Sequence, residues 1–486
     1  MNLRTIAPLA ALSALSLSAV AAPQPATQDV GATAVAGGLQ AGLDAIQLDH
    51  IKGDIFFLAS DEMGGRDSPS PEQRIAARYI RDRLTAMGWQ HGTEDGYLHT
   101  YTLPATKLDL EATKLVVKVG GETLELKVGE GYFIDARAGG KRSISGGAVY
   151  VGDLSDIEPE DFKLKGRWAV GEATRGVSRK RREALADAGA IGVVVLPEEG
   201  AEKTVAETFA RTFQRMTMSS RRAPRASSFG YVHLTEETTA RIGQHLGELE
   251  VGMVLPLEGA ETCAYHEDVD ELENVMGIWP GSDPKLRDEV IILSAHYDHV
   301  GKRENGDIYN GADDNGSGTT GLLSLCEALA SYGPMRRTIM LQWVSAEEKG
   351  LLGSAAWTQD PWLPEGMRPV CNVNIDMIGR NAPDKLNITP TSEHEEYSWL
   401  TRVAEKHAPD EGFPKLGSAD PYYQRSDHYN YRKHLNIPVA FLFADVHEDY
   451  HKPTDTPDKI DLGKIQRVSR LVLRMLDDLQ ADKLGG

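Results

Sequence analysis

Three cysteines in 486 residues, Cys263, Cys326 and Cys371, allow at most one disulfide within the chain and leave a thiol over. A disulfide-stapled scaffold is therefore excluded, and the three read as small buried apolar side chains. Long apolar runs are also missing. Past the amino terminus nothing approaches the roughly 20 residues that a membrane-spanning helix needs, so no membrane insertion is expected. Positive charge is scarce as well: 52 Lys and Arg against 72 Asp and Glu give a net charge of -20. That balance opposes the phosphate backbone, and no nucleic-acid partner is expected. An acidic surface is otherwise an ordinary solubility device, with only a weak bias toward neutral or basic peptides.

At roughly 100–200 residues per domain, the length allows two or three domains and a large core. Residues 1–22 read as a secretory signal peptide: Arg4 supplies the positive start, 6–20 is apolar and rich in small residues, and Ala19-Val-Ala21 is a small-x-small cleavage site. No cysteine stands near that point to accept a lipid. The chain is thus expected to be exported, to the periplasm or the extracellular medium.

The next segment, 23–44, is Ala/Gly/Gln-rich and expected to be flexible. Residues 48–59 and 71–87 read as helices around the turn-rich connector Leu58–Arg66. From residue 108 the period changes to alternation, and 114–119 with 123–128 predicts a hairpin about Gly120-Gly121. Residues 147–196 read as strand, loop, helix and strand, with the helix at 182–189 and the last strand at 191–196. The Arg-rich stretch 212–225 reads as an exposed loop. Past Asn274 apolar strands alternate with helices: 290–294, 317–332, 338–344, 350–358 and 370–375. The fold class expected is α/β, a mixed and mostly parallel sheet with helices on both faces, carrying a β-rich insert. The boundaries that follow are a catalytic domain over 45–110 and 256–486 and an inserted domain over 111–255.

Five clusters in this second half hold the chemistry: His296-Tyr-Asp298-His299, Gly311-Ala-Asp313-Asp314-Asn315-Gly-Ser-Gly318, Glu347-Glu348, Asn374-Ile-Asp376-Met377 and Tyr450-His451. The candidate ligands fall just after predicted strands, where ligand sites gather in such sheets. Two hydrolytic zinc ions need about five His and carboxylate donors with one carboxylate shared, plus a base, and the clusters supply that inventory. Asp298 is placed to hold the second nitrogen of a metal-bound His296. Alone, His-x-Asp is equally a local polar contact and Asp-Asn-Gly a surface turn. Adjacent glutamates can divide the work, one toward metal and one toward water. His447-Glu-Asp-Tyr-His451 formally matches His-Glu-x-x-His, but the strand predicted at 439–443 and Pro453 and Pro457 leave no room for the helix that motif needs. His451 alone is taken as the fifth ligand.

With these residues the chain resembles the co-catalytic di-zinc aminopeptidase family of secreted bacterial and fungal enzymes, related to glutamate carboxypeptidase and transferrin-receptor-like proteins. Leu58–Arg66 with Ala76-Ala-Arg-Tyr-Ile80 is similar to the family's amino-terminal signature. Ser426-Asp-His428 and Tyr450-His451-Lys-Pro-Thr-Asp-Thr456 are similar to its carboxyl-terminal ones. Gly166-Arg-Trp-Ala-Val170 and Ala186-Asp-Ala-Gly-Ala-Ile-Gly-Val-Val-Val195 resemble a protease-associated domain, which members often carry as an insert. The resemblance implies one zinc on His296 and Asp376, a second on Glu348 and His451, and Asp314, rather than Asp313, bridging both. It implies Glu347 as general base with Asp298 in support, and peptides with a free amino terminus as substrates. Tyr422 or Tyr423 is a candidate for stabilising the oxyanion. Same-fold alternatives are a glutaminyl cyclase, with a single zinc, and a carboxypeptidase or dipeptidase, for which Arg380 or Arg425 is the candidate carboxylate clamp.

Overall fold

The computed structural model describes residues 37–135, 140–173, 176–198, 200–209, 226–303 and 305–484. The expected signal peptide, the segment 23–36 and the Arg-rich stretch 212–225 lie outside the described residues. Among those described, no helix is long and apolar enough to cross a membrane. All three cysteines are free and buried.

Strands Glu289–His296 and Thr338–Val344 are buried at nearly every position, as strands are when helices cover both faces. They run parallel to each other, and parallel to Arg368–Asp376 and then Val439–Phe443. Around these four the pairing turns antiparallel, with Tyr265–Trp279 on one side and Asn387–Thr389 on the other. The sheet is thus mixed, parallel at its centre and antiparallel toward its edges. Alternation along Glu289–His296 sends Ile291 and Leu293 into one core and Val290 and Ile292 into another. Helices Gly38–Ala45, Leu48–Leu58, Pro71–Ala86, Gly318–Tyr332 and Leu462–Asp478 supply the first core, and Leu352–Gln359 and His428–Leu435 the second. Ser70 caps Pro71–Ala86 by accepting from the Gln73 N–H, and proline suits the first helical position.

Helix Gly38–Ala45 corrects the expectation of a flexible segment through residue 44. Its Leu43 is buried, and Gly42 lies against Leu473 and the Ala328 carbonyl. Packing decides there what an Ala/Gly/Gln-rich composition conceals.

Along Leu98–Leu108 the chain leaves this sheet, and it returns along Tyr265–Trp279, the two strands pairing antiparallel from Leu98–Val275 to Leu108–Tyr265. Between them a second, eight-stranded sheet forms from Lys114–Val119 to Val254–Cys263. It has cores of its own around Trp168 and Tyr231. Its parallel part, Arg142–Asp153, Arg167–Glu172, Gly192–Val195 and Gly230–Leu234, includes a strand at Arg167–Glu172 where a loop was expected. The expected boundary at 255/256 falls inside Val254–Cys263, which pairs with Lys114–Val119 and Arg142–Asp153 in the second sheet.

Candidate metal centre and active-site cleft

The carboxyl ends of the central parallel strands carry the candidate site. His296 and Asp376 are the last residues of their strands, Glu347 and Glu348 follow Thr338–Val344, and His451 lies in the loop after Val439–Phe443. Asp314 sits in the tight turn Ala312–Ser317 that leads into helix Gly318–Tyr332. A Cβ at Gly318 would stand 2.5 Å from the Ile375 carbonyl oxygen, so only glycine lets the helix begin this close to the strand. Asn315 fixes the turn to that strand: its amide donates to the Ile375 carbonyl, and its carbonyl accepts from the N–H groups of Gly318 and Met377. From the other side the buried Arg66 guanidinium donates to the carbonyls of Leu58, Tyr297, Asn310 and Gly311.

Two groups of donors converge on Asp314. In the first, His296 Nε2 lies 3.4 Å from Asp314 Oδ1 and 3.3 Å from Asp376 Oδ1. In the second, His451 Nε2 lies 3.0 Å from Asp314 Oδ2 and 3.2 Å from Glu348 Oε2. One aspartate thus turns one oxygen to each group. Among the described residues Asp376 Oδ1 and Glu348 Oε1 have no aligned hydrogen-bond partner although both are buried, which is costly unless a cation meets them. Imidazole nitrogen and carboxylate oxygen are the donors zinc takes, and the residues fit it.

Burial separates the two glutamates. It pushes the Glu347 carboxyl well above its ordinary range, with the His296 imidazole opposing, whereas against burial the His299 and His451 imidazoles hold Glu348 below its ordinary range. Such divergence suits one residue to proton transfer and the other to staying ionised as a ligand.

Asp298 is fully buried beneath His296, whose Nδ1 is 3.2 Å from the Asp298 backbone carbonyl and 3.7 Å from its carboxylate. The backbone oxygen is therefore the nearer partner, and the carboxylate accepts from the Glu347 N–H instead. Asp313 turns away, accepting from the Gly379 N–H with His447 Nε2 at 3.2 Å. Residues 448–451 form turns, and no helix spans 447–451. Tyr422 lines the cleft, while Tyr423 is buried against His428 and His394. Arg380 is engaged by Asp449 at 2.8 Å, and Arg425 lines the cleft.

Three supporting residues were given no role by the sequence. Ser426 donates to Asp376 Oδ2 and accepts from Asn374. Asp455 accepts the N–H groups of Asp313 and Asp314, and burial pushes its carboxyl up to about 6. His299 stands against Glu348. Ser426 and Asp455 belong to motifs carrying the resemblance and His299 closes the first cluster, so the signal was present without its meaning.

Beside the donors opens a cleft bounded on its apolar side by Met377, Tyr422, Phe441, Phe443 and Val446. A separate pocket in the second sheet is lined almost wholly by apolar side chains, and none of its lining residues is an acid, a base or a metal donor.

The model of peptidase family M28 matches residues 274–476. A probable leucine aminopeptidase of Trichophyton verrucosum is 31% identical over 210 residues, 41% of this chain and 56% of that protein. Aminopeptidase YwaD of Bacillus subtilis is 28% identical over 208 residues, 41% of this chain and 43% of that protein. The chain spans about half the length of the curated relatives it matches. Among solved structures, an aminopeptidase from Aneurinibacillus sp. strain AM-1 aligns with 20% identity and a TM-score of 0.48, over 90% of this chain and 95% of that one. Residues 274–476, the part of the chain that the peptidase family M28 model matches, contain every donor of the two groups.

Proposed function

We propose that the protein is an exported aminopeptidase that removes the first residue of peptides with a free amino terminus, using two zinc ions. The observation that carries the reading is Asp314, whose two carboxylate oxygens face two separate donor groups beside a cleft that Glu347 lines. Bound there, zinc would polarise the scissile carbonyl and make a bound water acidic near neutral pH. Glu347, its proton affinity raised by burial, accepts the water's proton and delivers it to the leaving amine nitrogen, so hydroxide adds to the carbonyl carbon as the C–N bond breaks. Of the two tyrosines named from the sequence, Tyr422 lines the cleft, which supports it as the donor toward the developing oxyanion. Export rests on the signal-like residues 1–22, and the second sheet is read as the protease-associated insert from the motifs within it.

Arg425 at the cleft supports a second reading, a carboxypeptidase or dipeptidase that clamps a substrate carboxylate. An aminoacyl-p-nitroanilide panel beside its N-acetylated counterparts, with and without chelator, separates the two. Cleavage of free-amine substrates alone, abolished by chelator, is the expected result. No cleavage in protein holding two zincs transfers the assignment to the second reading, and one zinc per chain favours a glutaminyl cyclase.

A further inference from the structure

The Glu348 group holds a side chain outside the five expected donors. His299 is fully buried, and Gly311 packs so closely on its ring that a Cβ there would lie 2.4 Å from Cγ. The imidazole is pinned with Nδ1 at 2.8 Å from Glu348 Oε1 and 3.8 Å from Asp314 Oδ2. Among the described residues neither ring nitrogen has an aligned hydrogen-bond partner, and neither has Glu348 Oε1, so the 2.8 Å approach is an ion-pair contact rather than an aligned hydrogen bond. Two close polar atoms that are not aligned to share a proton are aimed at a common point.

Donors on a tetrahedron around zinc, at bonds of about 2.0–2.1 Å, stand about 3.3 Å apart. His296 meets its partners at 3.3 and 3.4 Å, and His451 at 3.0 and 3.2 Å. The two His299 contacts bracket the same edge length, with Glu348 turning Oε1 to His299 and Oε2 to His451, and one ligand atom each from His299, Asp314, Glu348 and His451 lies within 4.8 Å of all the others.

We propose that His299 Nδ1 is a fourth protein ligand on the Glu348–His451 side, so that the two metal positions are unequal. One side then has four protein donors, the complement of a retentive zinc site. The other has three, His296, Asp314 and Asp376, and keeps the open position that hydrolysis needs. This rests on the two-zinc reading above and adds an order of loading to it: the His299 side fills first and empties last.

X-ray absorption of wild-type protein given one equivalent of zinc tests this without a variant. Two imidazoles around the metal are expected, and one imidazole overturns the proposal. Zinc titration against a chromophoric chelator gives an independent test. Wild type should show two unequal steps. His299→Gln, checked for folding by circular dichroism, should weaken the tighter step by about 100-fold or more, beyond the range caused by losing an outer partner, and leave the other within about threefold. Unchanged steps, or equal weakening of both, overturn it. Should His299→Gln fail to fold, the wild-type absorption result decides alone. Wild-type protein that takes up no zinc overturns the functional reading itself, a result distinct from two bound zincs with one imidazole each.

Discussion

Glu347 and Glu348 are chemically identical neighbours with different surroundings, and the proposed function gives them different work. Glu348 points between imidazoles; Glu347 lines the cleft with its backbone N–H held by Asp298. Glu347→Ala is accordingly expected to keep both zincs, read by metal analysis, while kcat falls by about 10²–10⁴, the range general-base catalysis supplies. Asp314→Ala should lose metal from both positions because its oxygens face both groups, whereas Asp376→Ala should empty one. Retention of two zincs in Asp314→Ala would sink the bridging assignment. Behind the site, His428 is buried and stacked on Phe441 at 4.6 Å between ring centres, and burial pulls its pKa down to about 3. A folded pKa below the unfolded value of about 6.5 means that only the unfolded chain takes up this proton between those limits. His428 therefore costs stability as pH falls below about 6.5. Relative to the uncharged His428→Gln, wild type should lose about 2 kcal/mol between pH 7.5 and pH 5, measured as the change in urea midpoints; a constant difference would refute the burial argument.

At the scale of elements, the site depends on segments far apart in sequence being tied at their backbones. Arg66 joins the end of helix Leu48–Leu58 to the loops carrying Tyr297 and Gly311 through four carbonyls. Arg66→Met would fill similar space while leaving those buried acceptors without donors, at about 1–3 kcal/mol for each group left unsatisfied. A lower melting temperature and faster zinc loss to chelator are expected together; a lower melting temperature with unchanged metal retention would show that Arg66 supports the fold without positioning the site. What was legible here was the strand-end placement of donors, since apolar runs ending in His, Asp or Glu mark both the strand and its mouth. The clamps were not legible. Ser426 and Asp455 act through single hydrogen bonds to Asp376 and to the Asp313 and Asp314 backbone, and no periodicity encodes a partner some 50 or 140 positions away. Helix Gly38–Ala45 was concealed for a related reason, because its order comes from docking on Ala328 and Leu473 rather than from helix-forming composition.

For the whole molecule, the division into two sheets could be read from the change of hydrophobic period, yet its carboxyl boundary could not, because Val254–Cys263 alternates equally well in either sheet and only pairing assigns it. Among the described residues the candidate metal donors stand on the first sheet and its loops, while the second has separate cores and is entered and left through one antiparallel pair of strands. A ligand stabilises only the cooperative unit that binds it, by about 4 kcal/mol per site at a thousandfold excess over Kd, and a chain with two cores need not unfold in one step. Calorimetry of the zinc-loaded protein and of the chelated protein should therefore show two components. The larger one, from residues of the first sheet, should move up in temperature with zinc, and the other should stay within about 1–2 °C, as expected where the stabilising free energy is near zero. A single transition that shifts as a whole would mean that the strand pair Leu98–Leu108 and Tyr265–Trp279 couples the sheets into one cooperative unit, and zinc binding at the first sheet would then also stabilise the second.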